Sequence, residues 1–537
     1  MKHRGIAMSR KGMVSSAHTL ISSSGLNILK QGGNAIDAAI AMANTSGVVL
    51  PDMCGLGGDA FLLYFEASTQ KIYCINGSGI VPHKASLNYF KEKNMETIPN
   101  DGILSVSVPG QVDALFLALE KFGTMSFDEL SKDAIDLAEN GCPISEKVAR
   151  HIRTNMDKII NSKELSHMFL DKDGNPKNPG DIYTNPDYAQ SLKLIGSEGR
   201  NVFYKGDITK KIVNYSKKKN GLLELDDFKE IQASFENPIH VNYRDYTVWQ
   251  TPPVSQGIIH LEELNILNQF DLSQYKSNSA EVIHLMVEAK KRSFADRNNF
   301  FGDPKFIDNP IKKILSQEYA KQCAKDIDLN KTKNIEDIIP YNENGHTTSF
   351  VVIDQFGNAV SFIHSIANTW GSGEVVEGTG ILLNNRAGGG FNLIPNHPNC
   401  IAPGKRTMHT LITYMITDKD GCLKWFGNTP GGDNQPQWNM QVVCNIIDFK
   451  MDIQSAVEAP RWSDIQTTNI STGIENILKI ENTVGDEILE KLKQKGHKLK
   501  VTEPYSCSGA SQIIEIRENG IYFGGSDPRA DGCAIGI

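Results

Sequence analysis

Gly345-His346-Thr347-Thr348-Ser349-Phe350-Val351-Val352-Ile353-Asp354 begins a β-rich run that turns at Gly357-Asn358 and resumes as Ala359-Val360-Ser361-Phe362-Ile363. Two such runs around a Gly-Asn turn predict a hairpin. A threonine pair leads its first strand, and a mostly polar stretch, Lys331 to His346, runs into it. A cut between His346 and Thr347 would make threonine a new N-terminus. Nucleophile and base would then share one residue, because a free α-amine has a pKa near ~8. This is the logic of the serine triad held in a single side chain and amine. On spacing alone, a plain hairpin with threonines chosen for β-propensity is the favoured reading.

A second constellation shifts that balance. Leu423 to Gly427 reads as a strand that runs into Asn428-Thr429-Pro430-Gly431-Gly432-Asp433, and a helix follows with Pro436 in its first turn. The N–H groups of Gly431 and Gly432 near a helix N-terminus would form an anion or oxyanion site, with glycine allowing close approach of the backbone. A plain loop with Asp433 as helix N-cap is the alternative, and the two are compatible.

These segments need a scaffold, and the bulk composition bounds it. The chain has 537 residues, 40% hydrophobic, a net charge of −8 and a pI of about 5.9. That is enough for two domain-sized cores or one large sandwich. No basic cluster suggests nucleic acid, and no apolar run reaches the ~18 residues of a membrane span. The N-terminus lacks an apolar signal region. The nine cysteines are scattered without a Cys-x-x-Cys pair, which suits reduced thiols in a cytoplasmic protein. Cys507 has no implied base nearby and reads as a buried structural thiol.

Along the chain, residues 15–47 read as two helices separated by Gly32-Gly33, with Asn34 capping the second. Gly55-Leu56-Gly57-Gly58-Asp59 reads as a tight cleft loop before a strand from Ala60 to Phe65. Ile103 to Val108 is expected as a strand and Gln111 to Phe122 as a helix. Residues 126–330 look helical and polar. In them His284, Glu288, Lys291, Asp296 and Arg297 share one long helix, read as a solvated, salt-bridged face. Strands are expected at 347–353, 359–365, 379–384, 410–416, 423–427, 499–502, 511–516 and 520–523, with helices at about 435–447 and 484–496. Helix-rich and strand-rich halves together imply an α+β layered sandwich.

Taken together, these segments resemble the γ-glutamyltranspeptidase family of N-terminal-nucleophile hydrolases. The matching pieces include Gln31-Gly32-Gly33-Asn34-Ala35-Ile36-Asp37-Ala38-Ala39, Gly55-Leu56-Gly57-Gly58-Asp59-Ala60-Phe61, Val108-Pro109-Gly110, Ala295-Asp296-Arg297, Gly378-Thr379-Gly380-Ile381-Leu382-Leu383-Asn384-Asn385, Pro430-Gly431-Gly432 and Gly524-Gly525-Ser526-Asp527-Pro528-Arg529. The resemblance spans nearly the whole chain. It implies a four-layer αββα sandwich and self-cleavage between His346 and Thr347. The fragments 1–346 and 347–537 would form one composite domain, a heterodimer of the chain's own pieces that can in turn pair with a second copy. It also implies Thr347 as nucleophile, and Ser365 in the place of a family threonine that hydrogen-bonds it.

The family's glutamyl-binding residues do not carry over. Leu87 stands where an arginine holds the substrate carboxylate, His409-Thr410 replace paired serines, and the run Arg386 to Phe391 lacks the acid that holds the amine. Ala367 replaces an asparagine. A glutamyl group would thereby lose several charge-assisted hydrogen bonds, each worth roughly 1.5–3 kcal/mol. Asn384-Asn385-Arg386, His409-Thr410-Leu411 and Gly431-Gly432-Asp433-Asn434-Gln435 are similar to the cephalosporin-acylase-like and oxamate amidohydrolase members. Arg386 would then face a substrate carboxylate, or else serve as a structural arginine paired with Asp433 or a carbonyl. His409 lies beside the nucleophile or is a packed histidine. Thr410 and Asp433 complete the expected substrate-binding set.

The expectation is a self-processing amidohydrolase for a small carboxylate-bearing amide, with no metal or organic cofactor and no nucleic acid or membrane partner. The alternatives are a γ-glutamyl hydrolase or transferase, and an unprocessed family member acting as a binding protein.

Overall fold

The computed structural model describes residues 3–230, 232–333, 345–469 and 473–537. Residues 334–344 of the polar lead-in fall outside them. Two seven-stranded sheets form the centre. One runs in the order Cys533–Gly536, Met13–Ser16, Thr348–Ile353, Ala359–Ser365, Asp59–Glu66, Lys71–Gly77, Ser234–Glu236. The other runs Ala7–Ser9, Tyr522–Ser526, Gln512–Ile516, Leu423–Asn428, Tyr414–Thr417, Tyr246–Gln250, Ile239–Tyr243. Both sheets combine strands from before and after Thr347.

The predicted hairpin is present, antiparallel, with Phe350 opposite Phe362 and Ile353 opposite Ala359. All of its strand residues are buried because both faces are covered, so the strands read as largely apolar rather than alternating. One face, with Val351 and Ile353, packs on Met415, Phe426 and Ile514 of the second sheet. The other, with Phe350, Val352, Val360 and Phe362, meets the helices Thr19–Lys30 and Ala35–Val49. The second sheet is covered in turn by Gly257–Leu267, Ala280–Phe300 and Gln435–Ile447. The result is helix, sheet, sheet, helix: the α+β sandwich expected. Asn34 caps Ala35–Val49 in a full capping box with Asp37.

Several expectations need correction. Ile103 to Val108 is not a strand but a 3₁₀ turn, Ile103–Ser105, followed by extended chain. Asn384 Oδ1 accepts the Ser107 N–H and hydroxyl, so side-chain bonds replace a ladder there. The 379–384 strand shrinks to Ile381–Leu382, and 410–416 to Tyr414–Thr417. Residues 126–330 contain the strands Ser234–Glu236, Ile239–Tyr243 and Tyr246–Gln250. Most tellingly, the charged face of Ala280–Phe300 is buried: His284, Glu288, Lys291 and Asp296 are all at or below 4% exposure. Elements remote in sequence cover it, and Lys290 ends on Asp464 Oδ2 at 3.0 Å. Periodicity cannot see a lid made of distant chain.

Candidate active site

Thr347 precedes the first residue of the central strand and is 2% exposed. In the uncut chain the peptide before it is held from the neighbouring strand's end. The Ser365 hydroxyl donates to the His346 carbonyl at 2.8 Å, and the His346 N–H donates to Ala367 O at 3.0 Å. Ser365 Oγ also accepts the Ala367 N–H at 2.8 Å. Ala367 holds φ +81°, a conformation costly for a residue with a Cβ. Burial first, and then the neighbouring His151 and Lys147, push the His346 imidazole down to about 3, so it is neutral.

The glycine turn is tied to this hairpin across the sheet interface. Asn428 Nδ2 donates to Phe350 O, Phe362 O and Ser361 Oγ at 2.9–3.1 Å, so the strand that leads into the turn cannot slide along the hairpin. Gly431 and Gly432 take φ +142° and +57°, and a Cβ on Gly431 would strike the Trp438 ring. The Gly432 carbonyl accepts Gln256 Nε2 at 3.1 Å, and the same amide donates to Thr410 O at 2.8 Å. Gln256 Oε1 in turn accepts Arg297 Nη1 at 3.0 Å, and Arg297 also pairs with Asp433. Asp433 makes no helix cap: it lies in the 3₁₀ turn Gly432–Asn434, and Gln435–Ile447 has no side-chain cap bond.

A cavity of about 580 Å³ opens beside the turn. Its polar lining includes Gln256, Arg297, Asn368, His409, Thr410 and Asp433; Ile98, Phe301, Phe391, Leu393 and Met408 make up much of the rest. Thr347 does not line it in the uncut chain. Gly345, bridged to Asn368, runs past it.

Arg386 is placed differently from expectation. It is 4% exposed and does not line the cavity, although Gly388 to Gly390 do. Its Nε lies 3.4 Å from Asp59 Oδ2, an ion pair too long for a good hydrogen bond. Of the two readings, the structural arginine fits this position, with Asp59 rather than Asp433 as partner. Burial pushes the Asp59 carboxyl up to about 6, against the pull of Arg386 and of the Gly79 and Gly110 N–H groups. His409 is fully buried, 3.8 Å from the same carboxylate, and burial and then Arg386 keep it neutral.

One further cluster has ligand-type atoms within 4.8 Å of one another: His284, Glu288 and His497. Its atoms are already engaged. His284 bonds Asp328 O and His497 Nε2, while Glu288 Oε1 takes Lys291 Nζ at 2.8 Å and the Thr332 hydroxyl at 2.7 Å. An ammonium on the carboxylate opposes a second cation. The cluster acts as a clasp on the chain leading toward residue 334.

The γ-glutamyltranspeptidase family model matches residues 22–537. The chain belongs to the γ-glutamyltranspeptidase family. It is similar to the glutathione hydrolase-like YwrD proenzyme of Bacillus subtilis (strain 168), 38% identical over 532 residues and 98% of each chain. The oxamate amidohydrolase proenzyme of Klebsiella pneumoniae is 31% identical over 539 residues, 98% of this chain and 99% of that one. Among solved structures, cephalosporin acylase from Bacillus halodurans superposes with a TM-score of 0.90 at 32% identity, covering 99% and 97% of the two chains. This γ-glutamyltranspeptidase-family chain is therefore an enzyme of the N-terminal-nucleophile amidohydrolase class. Among its described residues no helix is long and apolar enough to cross a membrane.

Sequence reasoning missed Gln256 and Asp59 as parts of this family member's site. Arg297 was visible in Ala295-Asp296-Arg297, yet it read as surface charge. Gln256 carried no signal, because its role depends on where the turn before Gly257–Leu267 meets Gly432.

Proposed function

We propose that the chain cuts itself between His346 and Thr347 and then hydrolyses amides through Thr347. The observation that carries this reading is the Ser365 hydroxyl on the His346 carbonyl at 2.8 Å, which polarises the bond beside a threonine. Thr347 Oγ attacks that carbonyl carbon, the C–N bond breaks, and the hydroxyl proton passes to the Thr347 nitrogen. The resulting ester is hydrolysed by water, leaving a carboxylate on His346 and a free hydroxyl and α-amine on Thr347. Relatives described as proenzymes support such a step.

In the mature cycle the α-amine takes the Oγ proton as the hydroxyl attacks the substrate amide, then gives it to the leaving amine. The Gly431 and Gly432 N–H groups hold the oxyanion, and water frees the acyl group. Arg297, lining the cavity, is the cation for a substrate carboxylate. Arg386, buried outside the cavity lining, is not. A second reading has one specific observation in its favour. Arg297 and Asp433 lie side by side at the cavity, a cation and an anion that together suit a zwitterionic γ-glutamyl group.

Purified protein should run as two fragments, residues 1–346 and 347–537, and the Thr347→Ala chain should stay whole. A wild-type chain that stays whole yet active would sink the mechanism. Turnover of oxamate and glutaryl amides against γ-glutamyl anilide separates the two substrate readings.

A further inference from the structure

A chain that cuts itself must hold the residue before the cut as firmly as the nucleophile. The backbone of His346 is held at both ends, by Ala367 O and by the Ser365 hydroxyl. Its side chain has a third contact. The imidazole packs edge-on against His151, ring centroids 4.8 Å apart at 62°. His151 is buried, and its Nδ1 lies 2.6 Å from Asp52 Oδ2, on a fully buried carboxylate. The hydrolytic cycle above uses neither residue.

The same pair is pinned to the loop that grips the His346 backbone. Trp370 N–H donates to Asp52 O at 2.8 Å, and Ile366 N–H to Met53 O at 2.9 Å. The Trp370 indole N–H donates to His151 O at 3.3 Å. Residues 365–370, with Ser365 and Ala367, are thus locked to Asp52 and His151 as one body. The carboxylate fixes the His151 ring by taking its Nδ1–H, so the ring presents a set edge to its neighbour. A neutral His346 packs on that edge without charge repulsion.

We infer that Asp52 and His151 form a positioning subsite for the side chain of His346, setting the scissile carbonyl against Thr347 during self-cleavage. This rests on the reading that the cut falls between His346 and Thr347. His151 acts through the position of His346 and does not itself move the proton.

The test follows cleavage of the full chain, made by cell-free translation, on denaturing gels over time. His346→Ala and His151→Asn should each slow cleavage roughly 10- to 100-fold, the order expected when a reacting group is displaced by up to about 1 Å. The double variant should be no slower than the slower single, because both remove one contact. His346→Phe keeps a ring and should cleave within a few-fold of wild type. His151→Asn in the Thr347→Ala background should melt cooperatively near the parent temperature. Single variants that cleave at the wild-type rate, effects that multiply, or collapse of the melting transition would each overturn the subsite. A wild-type chain that is never cut fails the parent reading instead, and this one with it.

Discussion

Gly345 lies against Gly432 so closely that a Cβ on Gly345 would stand 2.7 Å from the Gly432 Cα. The chain leading to the proposed cut and the turn proposed to hold the oxyanion are therefore in backbone contact. Real Cβ atoms do not approach backbone so closely, and neither segment can yield freely. Gly345→Ala should slow self-cleavage by about 10-fold or more, since small misplacements near a reacting bond cost that much. A time course on denaturing gels that matches wild type would show the contact to be irrelevant to maturation.

Ser365 holds the His346 carbonyl, where the cut is proposed. Ser365→Ala removes a donor aimed at developing negative charge, and the cut should slow by roughly 10²–10³-fold. Ser365→Thr keeps the hydroxyl and should restore most of the rate. If the alanine variant matures normally, the hydroxyl is a structural bond only.

The two arginines should separate cleanly. Arg297→Ala should raise KM for a carboxylate-bearing amide more than it lowers kcat, because it removes uniform binding. Arg386→Ala strands Asp59 in the core and should instead destabilise the fold by about 3–5 kcal/mol, read by chemical denaturation. The reverse pattern, with KM following Arg386, would return the carboxylate to that residue.

Gln256 bridges the Gly432 and Thr410 carbonyls. Gln256→Leu leaves Gly432 O without this donor and lets the turn relax. We expect kcat to fall roughly 10-fold with little change in KM, because the loss is felt mainly in the transition state. An unchanged kcat in a folded, fully cut variant argues that the turn is rigid without it.

Acid should unfold the protein through its buried histidines. Burial pushes His260 and His364 each down to about 3. A folded pKa below the unfolded ~6.5 gives stability that is present above pH ~6.5 and lost as pH falls toward 3. Each group steepens the loss by up to about 1.4 kcal/mol per pH unit in that window. His364→Gln should flatten the slope of stability against pH by about one proton between pH 6 and 4. Urea melts at three pH values are enough to measure it.

By itself the sequence determined much. The hairpin of Thr348–Ile353 and Ala359–Ser365, the capped helix at Asn34, the glycine turn and the layered class all follow from local rules. Propensity, caps and turns act over a few residues, so a short window is sufficient. The pairing of charges was decided only in three dimensions. Arg386 meets Asp59, and Arg297 meets Asp433, from positions far apart in the chain. The Ala280–Phe300 helix carries a solvent-like pattern, yet its polar face is buried beneath distant chain, each charge matched after the layers close. Which cation faces the cavity depends on where the closed layers place the two ion pairs. Spacing along the chain contains no record of that choice, because the energy that settles it is the desolvation of both partners together.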